Sequence, residues 1–203
     1  MPVNFFLPLH IFLMFISVFT LSASTHAETL KSRNDFLRSY FTEDAQTSIM
    51  GTLWVDDELR QSAFKNLDYR FSQLRVRYWG QGSRTAWILD EVGKEQPITI
   101  GVVVDGNSIT AVEILEYRES RGAEVKYNFF TDQFKSLQLK KNKNNLRLNQ
   151  SIDGITGATL SVRAVKKVAT LALYLHKLTP YSQHAATTPT ITSLSRTSVN
   201  DKN

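Results

Sequence analysis

The sequence predicts an α+β fold in which an antiparallel sheet packs against helices. Two observations indicate this class: apolar residues recur at helical spacing near both ends of the chain, and β-rich runs separated by Gly-containing turns lie between them. The order is therefore helices, then antiparallel strands, then a helix. With 203 residues, 42% of them hydrophobic, the chain is long enough for one domain with a substantial core.

The N-terminus resembles an export signal. Residues 1–27 hold no Asp, Glu, Lys or Arg, and an apolar run from Phe5 to Leu21 precedes small polar residues ending at Ala27. This layout is typical of a secretory signal peptide cleaved after Ala27. The n-region lacks a Lys or Arg, and the apolar run approaches the roughly 17–25 residues of a membrane span. An uncleaved membrane anchor and a buried core helix therefore remain as alternatives.

Composition excludes several kinds of site. The chain has no cysteine, so disulfides, thiol chemistry and Cys-ligated metals are excluded, and its four histidines show no metal-ligand spacing. The net charge is +5, which favours an anionic ligand, partner or membrane surface. The densest basic stretch, residues 140–143, lies among Asn residues without interleaved aromatics and is predicted to be a solvated turn. We predict no nucleic-acid binding.

Two helices are predicted before the sheet. Caps at residues 32–35 precede apolar residues at helical spacing from Phe36 to Phe41. A second helix is predicted from about Asp56 to Leu67, with acidic residues at its N-terminal end.

The sheet is predicted from two hairpins. The first turns at residues 80–83 within RVRYWGQGSRTAWIL, and the second turns at residues 105–107 within ITIGVVVDGNSITAVEILEY. The following segment, YRESRGAEVKYNFFTDQFKSLQL, is predicted to pack a short helix and a strand end onto the sheet.

The clearest helix is predicted from Leu160 to Leu178. Its apolar stripe comprises Leu160, Ala164, Val165, Val168, Leu171, Ala172 and Leu175, and Arg163, Lys166 and Lys167 lie on the other side. Pro180 follows its end, and the Ser- and Thr-rich residues beyond are predicted to be a disordered tail.

The segment before this helix combines backbone freedom with hydroxyl groups. It reads Asp153-Gly154-Ile155-Thr156-Gly157-Ala158-Thr159. Glycines let another group approach the backbone, and a helix N-terminus favours an anion. The segment has neither the P-loop ending nor the glycine spacing of a dinucleotide fingerprint. On these residues alone, a helix cap by Thr159 or Ser161 and an anion site both remain open.

The pattern Asp-x-x-Ser/Thr-Gly-Ala-Thr before a helix resembles the attachment motif of the covalently flavinylated FMN-binding domains. These occur in the sodium-pumping NADH:quinone reductase, in Rnf-type complexes and in small exported proteins. The resemblance extends from about Trp79 to Leu178. It includes a Glu-x-x-Gly turn at Glu119–Gly122 and a Phe-x-x-Gln-Phe segment at Phe130–Phe134.

The resemblance implies a cofactor and its site. A dedicated flavin transferase would take FMN from FAD and join its phosphate to the hydroxyl of Thr159. The resemblance assigns the cofactor-binding positions Thr159, Ala158, Gly157, Thr156, Asp153, Glu119 and Gly122. Asp153 would orient Thr159 or hold the transferase's metal, or else form an Asx turn. Glu119 would bond the flavin and Gly122 would let its ring approach, or both are ordinary turn residues.

Other residues are weaker candidates. Four aromatics are candidate ring contacts but are better explained as core residues, namely Trp79, Trp87, Tyr117 and Phe134. Four cations are candidate phosphate ligands but are better explained as solvated side chains, namely Arg118, Arg121, Arg163 and Lys166.

The chain is accordingly divided into a signal peptide or membrane anchor (1–27), an N-terminal helical segment (28–70), an FMN-binding domain (71–179) and a disordered tail (180–203). The resemblance implies a small electron carrier, exported to the periplasm or anchored facing it, rather than an enzyme in its own right. Its redox partner would be a membrane reductase or a cytochrome. A flavin-free or noncovalent binding module and a flavin-dependent reductase remain as alternatives.

Overall fold

The computed structural model describes residues 28–41, 49–143 and 145–182. The predicted signal peptide or anchor and most of the predicted tail lie outside these ranges. No helix within them is long and apolar enough to span a bilayer.

The described residues form an α+β fold, as the sequence predicted. Six strands make an antiparallel sheet in the order β1-β6-β5-β4-β3-β2. Their bounds are β1 Glu28–Thr29, β2 Ile49–Trp54, β3 Arg75–Gln81, β4 Arg84–Val92, β5 Pro97–Asp105 and β6 Ser108–Tyr117. A separate hairpin comprises β7 Leu139–Asn142 and β8 Asn145–Leu148, and the helices are α1 Arg33–Tyr40, α2 Asp57–Leu67, α3 Asn128–Thr131 and α4 Thr159–His176.

Both predicted hairpins are confirmed. Strands β3 and β4 meet at a turn where Gly82 has a φ of +60°, and β5 and β6 meet at Gly106, with a φ of +57°. Glycine accepts this left-handed conformation without steric cost, so both turns close tightly.

The two predicted N-terminal helices are also confirmed. Ser32 caps α1 by accepting the backbone N–H of Asp35 at 3.1 Å, and Asp56 caps α2 by accepting that of Leu59 at 2.8 Å. The prediction was incomplete, because residues 28–70 also supply the two edge strands of the sheet, β1 and β2.

Each face of the sheet carries its own apolar cluster. On one face, α4 lies against β4 and β5 and α2 adds Leu59 and Ala63 to the core. On the other face, α1 buries Phe36 against Gly101 so closely that a Cβ at that glycine would lie 2.6 Å from the ring. The absent side chain of Gly101 therefore lets α1 pack onto the sheet.

Three details of the C-terminal region differ from the prediction. Leu160 is 39% exposed, and the first turn of α4 instead buries Ser161 and Val162, because the Gly122 turn packs against Ser161. The basic stretch at residues 140–143 is not simply a turn, since Lys140 and Lys141 lie on β7 and pair with β8. The segment predicted as tail begins with a 3-10 turn, Pro180–Ser182, whose Tyr181 packs against Tyr78.

Candidate functional site

The segment from Asp153 to Ala158 forms a loop that leads directly into α4 and is exposed except at Ile155 and Ala158. The backbone N–H of Ala158 donates to the carbonyl of Ile155 at 3.0 Å, which closes the last turn before the helix. Gly157 has a φ of +83°, and a Cβ there would meet no atom within 4 Å. Its backbone therefore requires glycine for conformation and leaves the space beside the loop open.

Thr159 is the first residue of α4, and its side chain is exposed. No side chain caps this helix, and Ala158 occupies the capping position. Among the described residues, none forms a hydrogen bond with the Thr159 hydroxyl. The first turn thus combines an available hydroxyl with uncapped backbone N–H groups at the positive end of the helix dipole.

Asp153 lies at the other end of the loop, where its backbone N–H donates to Oε1 of Gln133 at 2.8 Å. Its carboxylate is exposed and has no partner within the described part of the chain. Thr156, between Asp153 and Thr159, is also exposed. The sequence analysis gave Gln133 no role of its own, although it lies in the Phe-x-x-Gln-Phe segment.

The turn at Gly122 packs against the first turn of α4. Gly122 has a φ of +83°, and a Cβ there would lie 3.0 Å from Oγ of Ser161 and 3.1 Å from Cβ of Ala158. The hydroxyl of Tyr117 reinforces this contact by donating to the carbonyl of Arg121 at 2.6 Å and lying 3.1 Å from Oγ of Ser161. Burial raises the pKa of Tyr117, so this hydroxyl stays protonated at neutral pH.

Glu119 binds a neighbouring turn. Its Oε1 accepts the backbone N–H groups of Lys94, of Glu95 at 2.7 Å and of Gln96 at 3.1 Å. Burial alone would raise the pKa of this carboxyl, but the N–H donors of residues 94–96 lower it below its usual range. The carboxylate therefore holds the loop between β4 and β5 against the end of β6.

The candidate aromatic residues divide between the two faces of the sheet. Trp87, Tyr117 and Phe134 are buried in the core beneath α4, as the core interpretation predicted. Trp79 packs in the cluster under α1, on the opposite face. The sequence analysis missed an exposed stacked pair, Tyr127 and Phe129, with ring centroids 6.2 Å apart.

The candidate cations differ in how they are engaged. Arg118 donates to the carbonyl of Pro97 at 3.0 Å and to Oγ1 of Thr99 at 3.1 Å, and it pairs with Glu116. Arg121 is exposed beside Gly122, while Arg163 and Lys166 line a groove along α4. Within the ranges that the structure describes, no cluster of His, Cys, Asp or Glu has the geometry to hold a metal ion.

Comparisons with known proteins find a similarity in the central part of the chain. Residues 93–174, from the turn before β5 to near the end of α4, match the sequence profile of the FMN-binding domain family. Among solved structures, NqrC from Shewanella oneidensis is similar, with 15% identity, a TM-score of 0.49, and coverage of 70% of this chain and 86% of NqrC. No curated protein sequence matches the chain.

Proposed function

We propose that the chain is an exported electron carrier with FMN esterified through its phosphate to Thr159. The proposal starts from the match of residues 93–174 to the FMN-binding domain family. The observation that carries the proposal is the exposed, unbonded hydroxyl of Thr159 at the uncapped start of α4. The domain assignment supports FMN as the ligand, and this hydroxyl supports Thr159 as the attachment residue.

The residues around Thr159 fit a phosphodiester. Such a group keeps one negative charge, and the uncapped N–H groups of the first turn of α4 stabilise it by about 0.3–1 kcal/mol when exposed. Gly157 and Gly154 leave open space beside the loop, because a Cβ at either position would contact nothing within 4 Å. Asp153 and Thr156 are also exposed in this loop.

The attachment reaction needs an outside catalyst. A threonine hydroxyl is a weak nucleophile without an adjacent base, and no histidine lies in the attachment loop. A flavin transferase would activate it: the oxygen of Thr159 bonds to the FMN phosphorus of FAD, the phosphoanhydride bond breaks, and AMP and a proton leave. We propose that Asp153, six residues before Thr159, orients this hydroxyl or holds the transferase's metal.

Glu119 and Gly122 act through the shape of the site. Gly122 lets the turn after β6 press against Ala158 and Ser161, and Glu119 fixes the neighbouring loop at residues 94–96. Gly122 thereby shapes the wall beside the attachment loop. Bound FMN supplies reversible electron transfer, and the protein's part is to position it and tune its potential.

The proposal also covers location and partners. The uncharged apolar N-terminal segment supports export to the periplasm, either free after cleavage or anchored in the membrane. A covalent bond suits an exported carrier, because a cofactor lost there to dilution is not easily replaced. We propose a membrane reductase or a cytochrome as the redox partner.

Flavin fluorescence after denaturation tests the proposal. The chain is expressed in a host that flavinylates other proteins, denatured in detergent and separated on a gel. We expect a fluorescent band for the natural chain and for Thr110→Ala, which removes an exposed threonine on β6, and no fluorescence for Thr159→Ala. A dark band for the natural chain, beside a fluorescent control protein from the same host, would support a noncovalent or flavin-free module instead.

A further inference from the structure

A groove of about 760 Å³ runs along α4. The end of α2 forms one wall, and β8 with the loop that follows it forms another. Its lining comes from residues 67–69, 145–151 and 163–170. The groove is therefore built from three separate parts of the chain.

The groove concentrates positive charge. Arg147 on β8 and Arg163 and Lys166 on α4 line it, and none of them pairs with a carboxylate among the described residues. Lys167, also in the lining, is engaged, since its Nζ lies 2.8 Å from Glu91 and 4.9 Å from the centroid of the Tyr69 ring. The lining contains one acidic residue, Asp68, against these four cations.

The groove begins beside the attachment loop. Ser151, in its lining, lies two residues before Asp153, and Arg163 lies four residues after Thr159 on α4. Residues four apart on an α-helix share a face, one turn above the other. A molecule held by Arg163 and Lys166 is consequently adjacent to the residue that would carry the flavin.

We infer that this groove docks an acidic surface segment of the protein with which the chain exchanges electrons. The inference rests on the proposed electron-carrier function. Three unpaired cations on two elements, α4 and β8, face a concave space, so a convex acidic segment reaches all of them. A flat bilayer surface contacts only the rim of such a groove. Complementary charge speeds the encounter of two proteins and sets their orientation, which suits a short-lived redox complex.

The test uses two matched charge variants. The groove variant carries Arg147→Gln, Arg163→Gln and Lys166→Gln. The control variant carries Arg38→Gln on α1, Lys65→Gln on α2 and Lys177→Gln just after α4, which are three exposed cations on separate elements. Both variants lose three positive charges, so a difference between them reports the position of the charge and not the net charge.

The first readout is binding of a synthetic peptide of alternating Glu and Gly, with a Gln-for-Glu peptide as the reference. We expect the groove variant to bind the acidic peptide about tenfold more weakly than the natural chain, as the loss of three exposed ion pairs predicts. The control variant should bind within about twofold of the natural chain, and added salt should weaken binding. Equal losses in the two variants, or no loss in either, would overturn the inference.

The second readout uses chains whose flavin has been verified by mass. Two ferricyanide ions each accept one electron per reduced flavin, and we expect this anionic oxidant to react more slowly with the groove variant. Reaction with the cation hexaamminecobalt(III) should not slow. If the natural chain has an unmodified mass but still binds the acidic peptide through the groove, covalent flavin attachment is refuted and the inference of a docking groove stands. Groove-dependent binding to phosphatidylglycerol vesicles without peptide binding would overturn the protein partner in favour of a membrane.

Discussion

The contact between the Gly122 turn and the first turn of α4 gives a direct test of how the site is built. Replacing Gly122 with Ala places a Cβ 3.0 Å from Oγ of Ser161 and 3.1 Å from both Cβ of Ala158 and the hydroxyl of Tyr117. It also forces an L side chain to adopt a φ of +83°. The substitution therefore combines a backbone penalty with overpacking.

The two contributions can be separated with a second glycine. Gly82 has a φ of +60°, and a Cβ there meets nothing within 4 Å, so Gly82→Ala carries only the backbone penalty of about 1–2 kcal/mol. Crowding in a packed contact adds about 1–3 kcal/mol at Gly122. We expect Gly122→Ala to lower the free energy of unfolding by about 2–5 kcal/mol, which a domain of typical stability survives.

Urea unfolding followed by circular dichroism measures both variants. The unfolding midpoint should fall further for Gly122→Ala than for Gly82→Ala, with unchanged slopes. Equal losses in the two variants, within about 0.5 kcal/mol, would refute the close contact between this turn and α4. The Gly122→Ala protein should also acquire less flavin, because its turn no longer fits against Ala158.

Three further predictions concern stability and pH. Phe36→Ala should cost about 3–5 kcal/mol in urea unfolding, since the ring is fully buried against Gly101, whereas a loss under about 1 kcal/mol would contradict that packing. Burial lowers the pKa of His176 below its usual 6.5, so the unfolded chain binds the proton more readily and the free energy of unfolding should fall as pH drops below about 6.5. His176→Gln should flatten this pH dependence, and an unchanged slope in the variant would refute the role of His176. The backbone N–H donors at residues 94–96 lower the pKa of Glu119, so its contribution to stability is present at neutral pH and is lost as pH falls through the folded-state pKa. Glu119→Gln should speed amide hydrogen exchange at residues 94–96, while Glu124→Gln should not.

The sequence predicted the strongest local patterns. The hairpin of β5 and β6 combines β-branched runs with a Gly turn, and α4 combines a wide apolar stripe with a following proline. Strand β2 was missed because it is an edge strand with four of its six residues exposed, which weakens the alternation of apolar and polar residues. Strand β1 is only two residues long and gives no periodic signal.

The position of the candidate loop at the start of α4 was predictable from contiguous residues, whereas the contacts that the fold assembles around it were not. Attachment at Thr159 itself stays a prediction from the motif. Glu119 binds backbone groups 23 to 25 residues upstream, and Gln133 binds Asp153 from 20 residues away. Such contacts depend on which loops the sheet brings together, and local spacing carries no information about them.

The most direct test of covalent attachment at Thr159 is the intact mass of the protein from its own host. The natural chain should be heavier than its processed sequence by FMN minus water, and Thr159→Ala should show no increase. Thr159→Ser keeps a hydroxyl at the same position and should be modified at least in part. An unmodified natural chain, from cells shown to flavinylate other proteins, would contradict the account.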